Sequence, residues 1–232
     1  MTRNFDHKRE NPIINISFNI VIPSIIMTKF DDWFSLDPTI ALVLALMFPL
    51  GYGLFDLYQK RKWNIFSCVG FFSILITGGI GLLKLPSEWI PIKEAAVPSI
   101  FCTFILLSLF DKRTLLEKFL FNEGLLNAEL VYSRVQTEHQ KRAFKSTMQV
   151  ATVILAASFV ISAILNYVLA KLVVHSATNS PNFTKELGNM LALSYPVIVF
   201  PCTIILYGML YYIIRRIRTL SGLTTSEILD IK

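Results

Sequence analysis

Six apolar stretches of roughly bilayer length recur along this chain, each set off by a short connector that carries most of the nearby charge. Their approximate bounds are Asn11–Thr28, Pro38–Tyr58, Trp63–Leu83, Ile92–Phe110, Ser146–Ala170 and Leu187–Ile214. A hydrocarbon core about 30 Å thick takes on the order of 20 apolar residues in a helix, which satisfies its own backbone polar groups there. A soluble domain has no need of such runs. Composition agrees: 53% of the 232 residues are apolar, and mean hydropathy is +0.55. The sequence therefore predicts an all-α, polytopic membrane protein, with six transmembrane helices in one domain over residues 1–232.

Charge sets the orientation. Threading the six stretches through a bilayer puts seventeen of the twenty-two Lys and Arg residues on one side. Arg3, Lys8 and Arg9 precede the first stretch, and Lys60, Arg61 and Lys62 follow the second. Lys112, Arg113, Lys118, Arg134, Lys141, Arg142 and Lys145 follow the fourth, and Arg215, Arg216, Arg218 and Lys232 follow the sixth. Lys29, Lys84, Lys93, Lys171 and Lys185 are left for the other face. Cytoplasmic connectors retain Lys and Arg, so a multi-pass orientation with both termini in the cytoplasm is expected. The net charge of +6 sits in clusters beside apolar spans, where the matching partner is an anionic lipid headgroup and not nucleic acid.

The connectors carry further signals. Asp31, Asp32 and Asp37 with Trp33 and Phe34 read as an outer turn with an aromatic belt. Residues 111–145 are charged, yet Leu115, Leu116, Phe119 and Leu120 recur at helical spacing. That pattern predicts a cytoplasmic amphipathic helix between the fourth and fifth spans, lying on the membrane surface. Its Leu116 and Phe119 would face acyl chains, and its Lys112, Arg113 and Lys118 the headgroups. A break is expected at Asn122-Glu123-Gly124, then a helical stretch from Leu125 running without a firm break into the fifth span. Thr224–Glu227 reads as a short helix start. The basic first residues resemble a signal n-region, but no small-residue cleavage site follows, so a retained first span is expected.

Several function classes find no residues to carry them. Cys68, Cys102 and Cys202 are isolated within spans and the three His are scattered, so no metal site and no cofactor is expected. There is no nucleophile elbow, zinc-protease or phosphate-loop motif, and Thr77-Gly-Gly-Ile-Gly81 lies inside a span with no following Lys. No catalytic residue can be proposed, and the chain is not expected to be an enzyme.

What remains is polar chemistry at membrane depth. Ser73, Thr77 and Gly81 share one face of the third span, and Ser158, Ser162, Asn166 and Ala170 one face of the fifth. Such stripes either pack helices closely or line a polar path. Asn166 stands out because an amide in hydrocarbon needs partners. Among ionisable residues, Asp56 is placed to pair with Lys60, while Lys93 and Glu94 open the fourth span, about 100° apart on its surface. The first and fourth spans, which begin on opposite sides, share the phrase Val21-Ile-Pro23-Ser24 and Ala96-Val97-Pro98-Ser99, the pattern an inverted repeat would leave.

From Ile92 onward the chain resembles the intracellular septation protein A family of small bacterial inner-membrane proteins. The resemblance lies in Lys93 opening a span that ends Leu106-Leu-Ser108, in Lys112-Arg-Thr-Leu-Leu-Glu-Lys-Phe-Leu120, in Asn166-Tyr-Val-Leu-Ala170 and in Phe183-Thr-Lys185. Upstream, Asp56-Leu-Tyr-Gln-Lys-Arg-Lys-Trp-Asn64 and Thr77-Gly-Gly-Ile-Gly-Leu-Leu83 look like an uncharacterised six-span relative group. The resemblance implies a non-enzymatic role in envelope biogenesis or septation through other integral membrane proteins or copies of itself, and supplies no active-site residues. The alternative is a small transporter or lipid-handling protein with a polar path between the third and fifth spans.

Overall fold

The computed structural model describes residues 17–34, 37–60, 65–122, 124–178 and 180–229, and all the regular structure in them is helical. Four helical segments are long and apolar enough to cross a membrane: Pro38–Phe55, Trp89–Phe110, Glu138–Val173 and Asn182–Ser221. Ser17–Lys29 and Phe72–Leu82 are shorter apolar helices among the described residues. The first expected span begins outside the described residues. By contact pattern the chain falls into two compact units: unit 1 is residues 1–94 with 167–195, and unit 2 is residues 95–166 with 196–232.

Unit 1 is built from α1 (Ile22–Phe34), α2 (Pro38–Lys60), α3 (Ile65–Leu82), the first turns of α4 (Trp89–Leu107), the last residues of α7 (Glu138–Val173) and α8 (Pro181–Ser194). The expected outer turn after Lys29 is helical instead: α1 runs on to Phe34. Asp37 then starts α2, its Oδ1 accepting the Thr39 N–H at 2.7 Å, with Pro38 as the first helical residue. That hydrogen bond to the charged form holds the Asp37 carboxyl below the usual carboxylate range. At the other end of α3, Lys84 adopts a left-handed φ of 52°. Lys84 N–H donates to Gly81 O at 3.2 Å and Leu85 N–H to Ile80 O at 2.9 Å, the paired bonds of a Schellman stop.

Two glycines set how closely these helices approach. A Cβ on Gly188 of α8 would lie 2.7 Å from Met27 Cβ and 3.1 Å from the Ser24 carbonyl oxygen of α1. One on Gly81 of α3 would lie 2.5 Å from Leu42 Cδ2 of α2 and 3.3 Å from Phe183 Cε1 of α8. Close backbone approach of this kind is how helices gain contact where lipid offers no hydrophobic drive. Around these contacts Met27, Leu42, Ala45, Ile80, Ile90, Ala170, Val174, Phe183 and Leu187 form the unit's core.

Unit 2 contains the rest of α4, α5 (Leu115–Asn122), α6 (Ala128–Arg134), most of α7, α9 (Phe200–Ser221) and α10 (Thr225–Ile228). Its core joins Leu116, Leu120 and Phe121 of α5 to Val131, Phe144, Met148, Met209, Ile213, Ile217 and Ile228. The expected break follows α5, with Gly124 at φ 70°, but a second break at 135–137 interrupts the stretch expected to be continuous. Helix α7 therefore begins at Glu138, eight residues before the expected span. Gly222, at φ 72°, ends α9, and a Thr224–Glu227 capping box starts α10 as the sequence predicts. Asn127 N–H donates to Ile228 O at 2.8 Å, tying this tail to the start of α6.

The amphipathic stripe of α5 divides. Leu116 and Leu120 are 4% and 2% exposed, while Leu115 and Phe119 are 44% and 48% exposed. Leu116 is therefore a core residue of unit 2, contrary to the expectation that it faces acyl chains, because it joins the buried cluster that includes Met148 of α7 and Ile213 of α9. Lys112 is exposed, Lys118 Nζ pairs with Asp111 Oδ2 at 2.8 Å, and Arg113 Nε lies 3.7 Å from Glu117 Oε1. Glu117 is itself buried and accepts the Tyr132 O–H at 2.9 Å, with the Arg113 guanidinium 5.0 Å from the Tyr132 ring centre.

Loss of solvation pushes the Glu117 carboxyl up, against the pull of Tyr132, Arg113, Lys118 and Lys145. A raised carboxyl pKa means the folded state binds the proton more tightly than the unfolded chain. Relative to Glu117→Gln, the wild type should thus gain stability as pH falls from neutral towards the ordinary carboxylate value. Thermal unfolding of the two purified proteins across that range checks it; a relative loss on acidification would contradict the assignment.

Candidate functional site

Lys93 and Glu94 lie in the second turn of α4, which begins at Trp89. The Lys93 side chain is 9% exposed, and its Nζ is 2.6 Å from Glu94 Oε1. From α3, Thr77 Oγ1 accepts from Nζ at 2.7 Å and Ser73 Oγ at 3.3 Å. Three acceptors thus meet the three N–H donors of one ammonium. The Thr77 hydroxyl in turn donates to the Ser73 carbonyl oxygen at 3.1 Å, so the helix spacing of four serves two purposes. It aligns both hydroxyls on one face and gives the Thr proton a local acceptor, freeing its lone pairs for Lys93.

These four side chains border a cavity of about 230 Å³ within unit 1. Asn19, Pro23 and Met27 line it from the first segment, Leu46 and Pro49 from α2, Ile74 from α3, and Leu187, Met190 and Leu191 from α8. The two prolines have a physical part in this. Proline supplies no N–H to the carbonyl four residues earlier, which here is that of Asn19 for Pro23 and of Ala45 for Pro49. The Asn19 segment, Ser17–Val21, takes the wider π-helical turn. Wide turns of this kind are frequent at functional sites in helices.

The structure sorts the residues that sequence patterning picked out. Ser73, Thr77, Lys93 and Glu94 come together. Gly81 packs against Leu42 and Phe183 instead. In unit 2, Asn166 Nδ2 donates to Ser162 O at 2.8 Å and to Ser162 Oγ at 3.2 Å, so its amide is partnered within its own helix. Ser158 is buried at 4% exposure. Asp56 lies in α2, and its side chain is outside the described residues. Sequence reasoning missed Asn19, whose signal was an Asn four residues before a Pro inside an apolar stretch. Among the described residues, no group of three His, Cys, Asp or Glu is placed to hold a metal ion.

The class this defines is a helical protein with several bilayer-length apolar segments and a half-buried polar cluster. Comparison with known proteins finds no matching family model, no matching curated protein and no matching solved structure. The resemblance to the septation family accordingly rests on the residues quoted for it.

Proposed function

We propose that the protein is a multi-pass protein of the bacterial inner membrane, with both termini in the cytoplasm. In this reading it takes a small polar or amphipathic ligand into the unit 1 cavity, as a small transporter or lipid-handling protein. One observation carries it: the Lys93 ammonium, with Glu94, Thr77 and Ser73 as partners, borders an open volume of about 230 Å³ in an otherwise apolar helical unit. Ionisable side chains at membrane depth are costly and mark pathways and ligand sites. An ion pair kept only for packing specificity would need no cavity beside it. The cavity lies where hydroxyls of the third span meet Lys93 of the fourth.

Cysteine accessibility tests this. In a protein with Cys68, Cys102 and Cys202 replaced by Ala, Ser73→Cys and Thr77→Cys should react with a small charged methanethiosulfonate reagent added to membranes. Ile80→Cys, buried in the unit 1 core, should not. Equal protection of all three positions would remove the site.

A second reading, an accessory protein acting in envelope biogenesis or septation through membrane-protein partners, draws on α9. Phe200, Ile204, Tyr207 and Tyr211 are 58–69% exposed at near-helical spacing, and nothing lies within 4 Å of a Cβ placed on Gly208. A photo-crosslinking residue at Tyr207 should then capture one integral membrane protein, or a second copy, in defined amount. Capture of lipid alone counts against this reading.

A further inference from the structure

Resting on the cavity as a ligand site, we propose that its ligand is a small amphipathic zwitterion, with one ammonium, one anionic group and an apolar body. Lys93 and Glu94 are neighbours in sequence, yet both side chains turn to the same cavity and close on each other at 2.6 Å. Closed, the pair is neutral. A ligand with a single charge must draw one member away and leave the other without its counter-charge beside a mostly apolar wall, which is unfavourable. A zwitterion leaves neither unpaired. Its anionic group replaces Glu94 on the one Nζ proton that Thr77 and Ser73 do not hold, and its ammonium takes the Glu94 carboxylate. Two ion pairs then stand where there was one, and the site stays neutral throughout.

The rest of the cavity fits the apolar body. Met27, Leu46, Ile74, Leu187, Met190 and Leu191 supply its wall. Its volume of about 230 Å³ is below the roughly 300–1,000 Å³ usual for drug-sized ligands. A branched amino acid or a phosphoethanolamine headgroup is of a size to enter it. These two sources share the same chemistry, a primary ammonium and an anion a few bonds apart.

The test uses the full-length protein in phosphatidylglycerol nanodiscs. L-Leucine is the free probe, and phosphatidylethanolamine added to the disc is the headgroup probe. Saturable leucine binding supports a free zwitterion if 3-methylbutylamine and 4-methylpentanoate, which each keep one of its charges, bind on the order of 30-fold more weakly. Selective retention of phosphatidylethanolamine over phosphatidylglycerol in native mass spectrometry supports a headgroup. Either signal should be lost in Glu94→Gln and reduced in Thr77→Val, and unchanged in Gly79→Ala, a position with open space around it. A singly charged analogue binding as tightly as leucine overturns the zwitterion and leaves the cavity reading standing. Retention of neither probe, with Thr77→Cys still labelled, also overturns it. Retention of neither with Thr77→Cys unlabelled overturns both.

Discussion

Lys93→Met should destabilise the detergent-purified protein by about 2–4 kcal/mol, and adding Glu94→Gln should recover most of that loss. The single change removes an ammonium that three acceptors share and leaves the Glu94 carboxylate, 22% exposed, without its partner. Breaking a buried ion pair from one side costs about 3–5 kcal/mol, while replacing both members is often close to neutral. The partial exposure of Glu94 places the expected value towards the lower end. Denaturant or thermal unfolding of the wild type, both single variants and the double variant gives the coupling directly. Additive effects would mean that the pair contributes nothing as a pair, and the electrostatic account of the site would fall with it.

The second large effect is at Gly188. Gly188→Ala should cost about 1–3 kcal/mol, as overpacking usually does, and Gly188→Leu should prevent unit 1 from assembling. The reason is the identity of the neighbours. The new Cβ would meet Met27 Cβ at 2.7 Å and the Ser24 backbone oxygen at 3.1 Å, neither of which is the free end of a flexible side chain. At Gly81 the nearest atom is instead Leu42 Cδ2, which can rotate away, so Gly81→Ala should cost less. Gly79→Ala meets nothing within 4 Å and removes a helix-interior glycine, so it should be neutral or stabilising by up to about 1 kcal/mol. Unfolding of the three Ala variants in one detergent provides the ranking, and a Gly188→Ala protein as stable as Gly79→Ala would show that α1 and α8 do not pack as described.

Much of the helical framework was legible because its signals are local. An apolar run declares a helix whatever surrounds it, and Asp37-Pro38, Gly222 and Thr224-x-x-Glu227 declare ends through hydrogen bonds within a few residues. Helix limits were less legible. The apolar run of the fifth span starts near Ser146, but Gln140 Oε1 accepts the Thr137 N–H at 3.0 Å and the Gln140 N–H donates to Thr137 Oγ1 at 3.2 Å. That polar cap starts the helix at Glu138, so a break at 135–137 interrupts the stretch expected to run from Leu125 into the fifth span, and apolar spacing carries no sign of it.

Determined by the sequence alone were the all-helical class, four of the six expected bilayer-length segments, and the short list of polar residues within apolar stretches, since each depends on residue type and spacing. Tertiary structure decided which of them work together. Ser73 and Thr77 became acceptors for Lys93, twenty and sixteen residues away, whereas Asn166 found Ser162 one turn back in its own helix. Leu116 went to a core while Leu115 stayed exposed. Spacing fixes which side chains share a helix face, but the energy of a buried charge, hydroxyl or leucine depends on what the facing helix presents, and that is settled only when the helices pack.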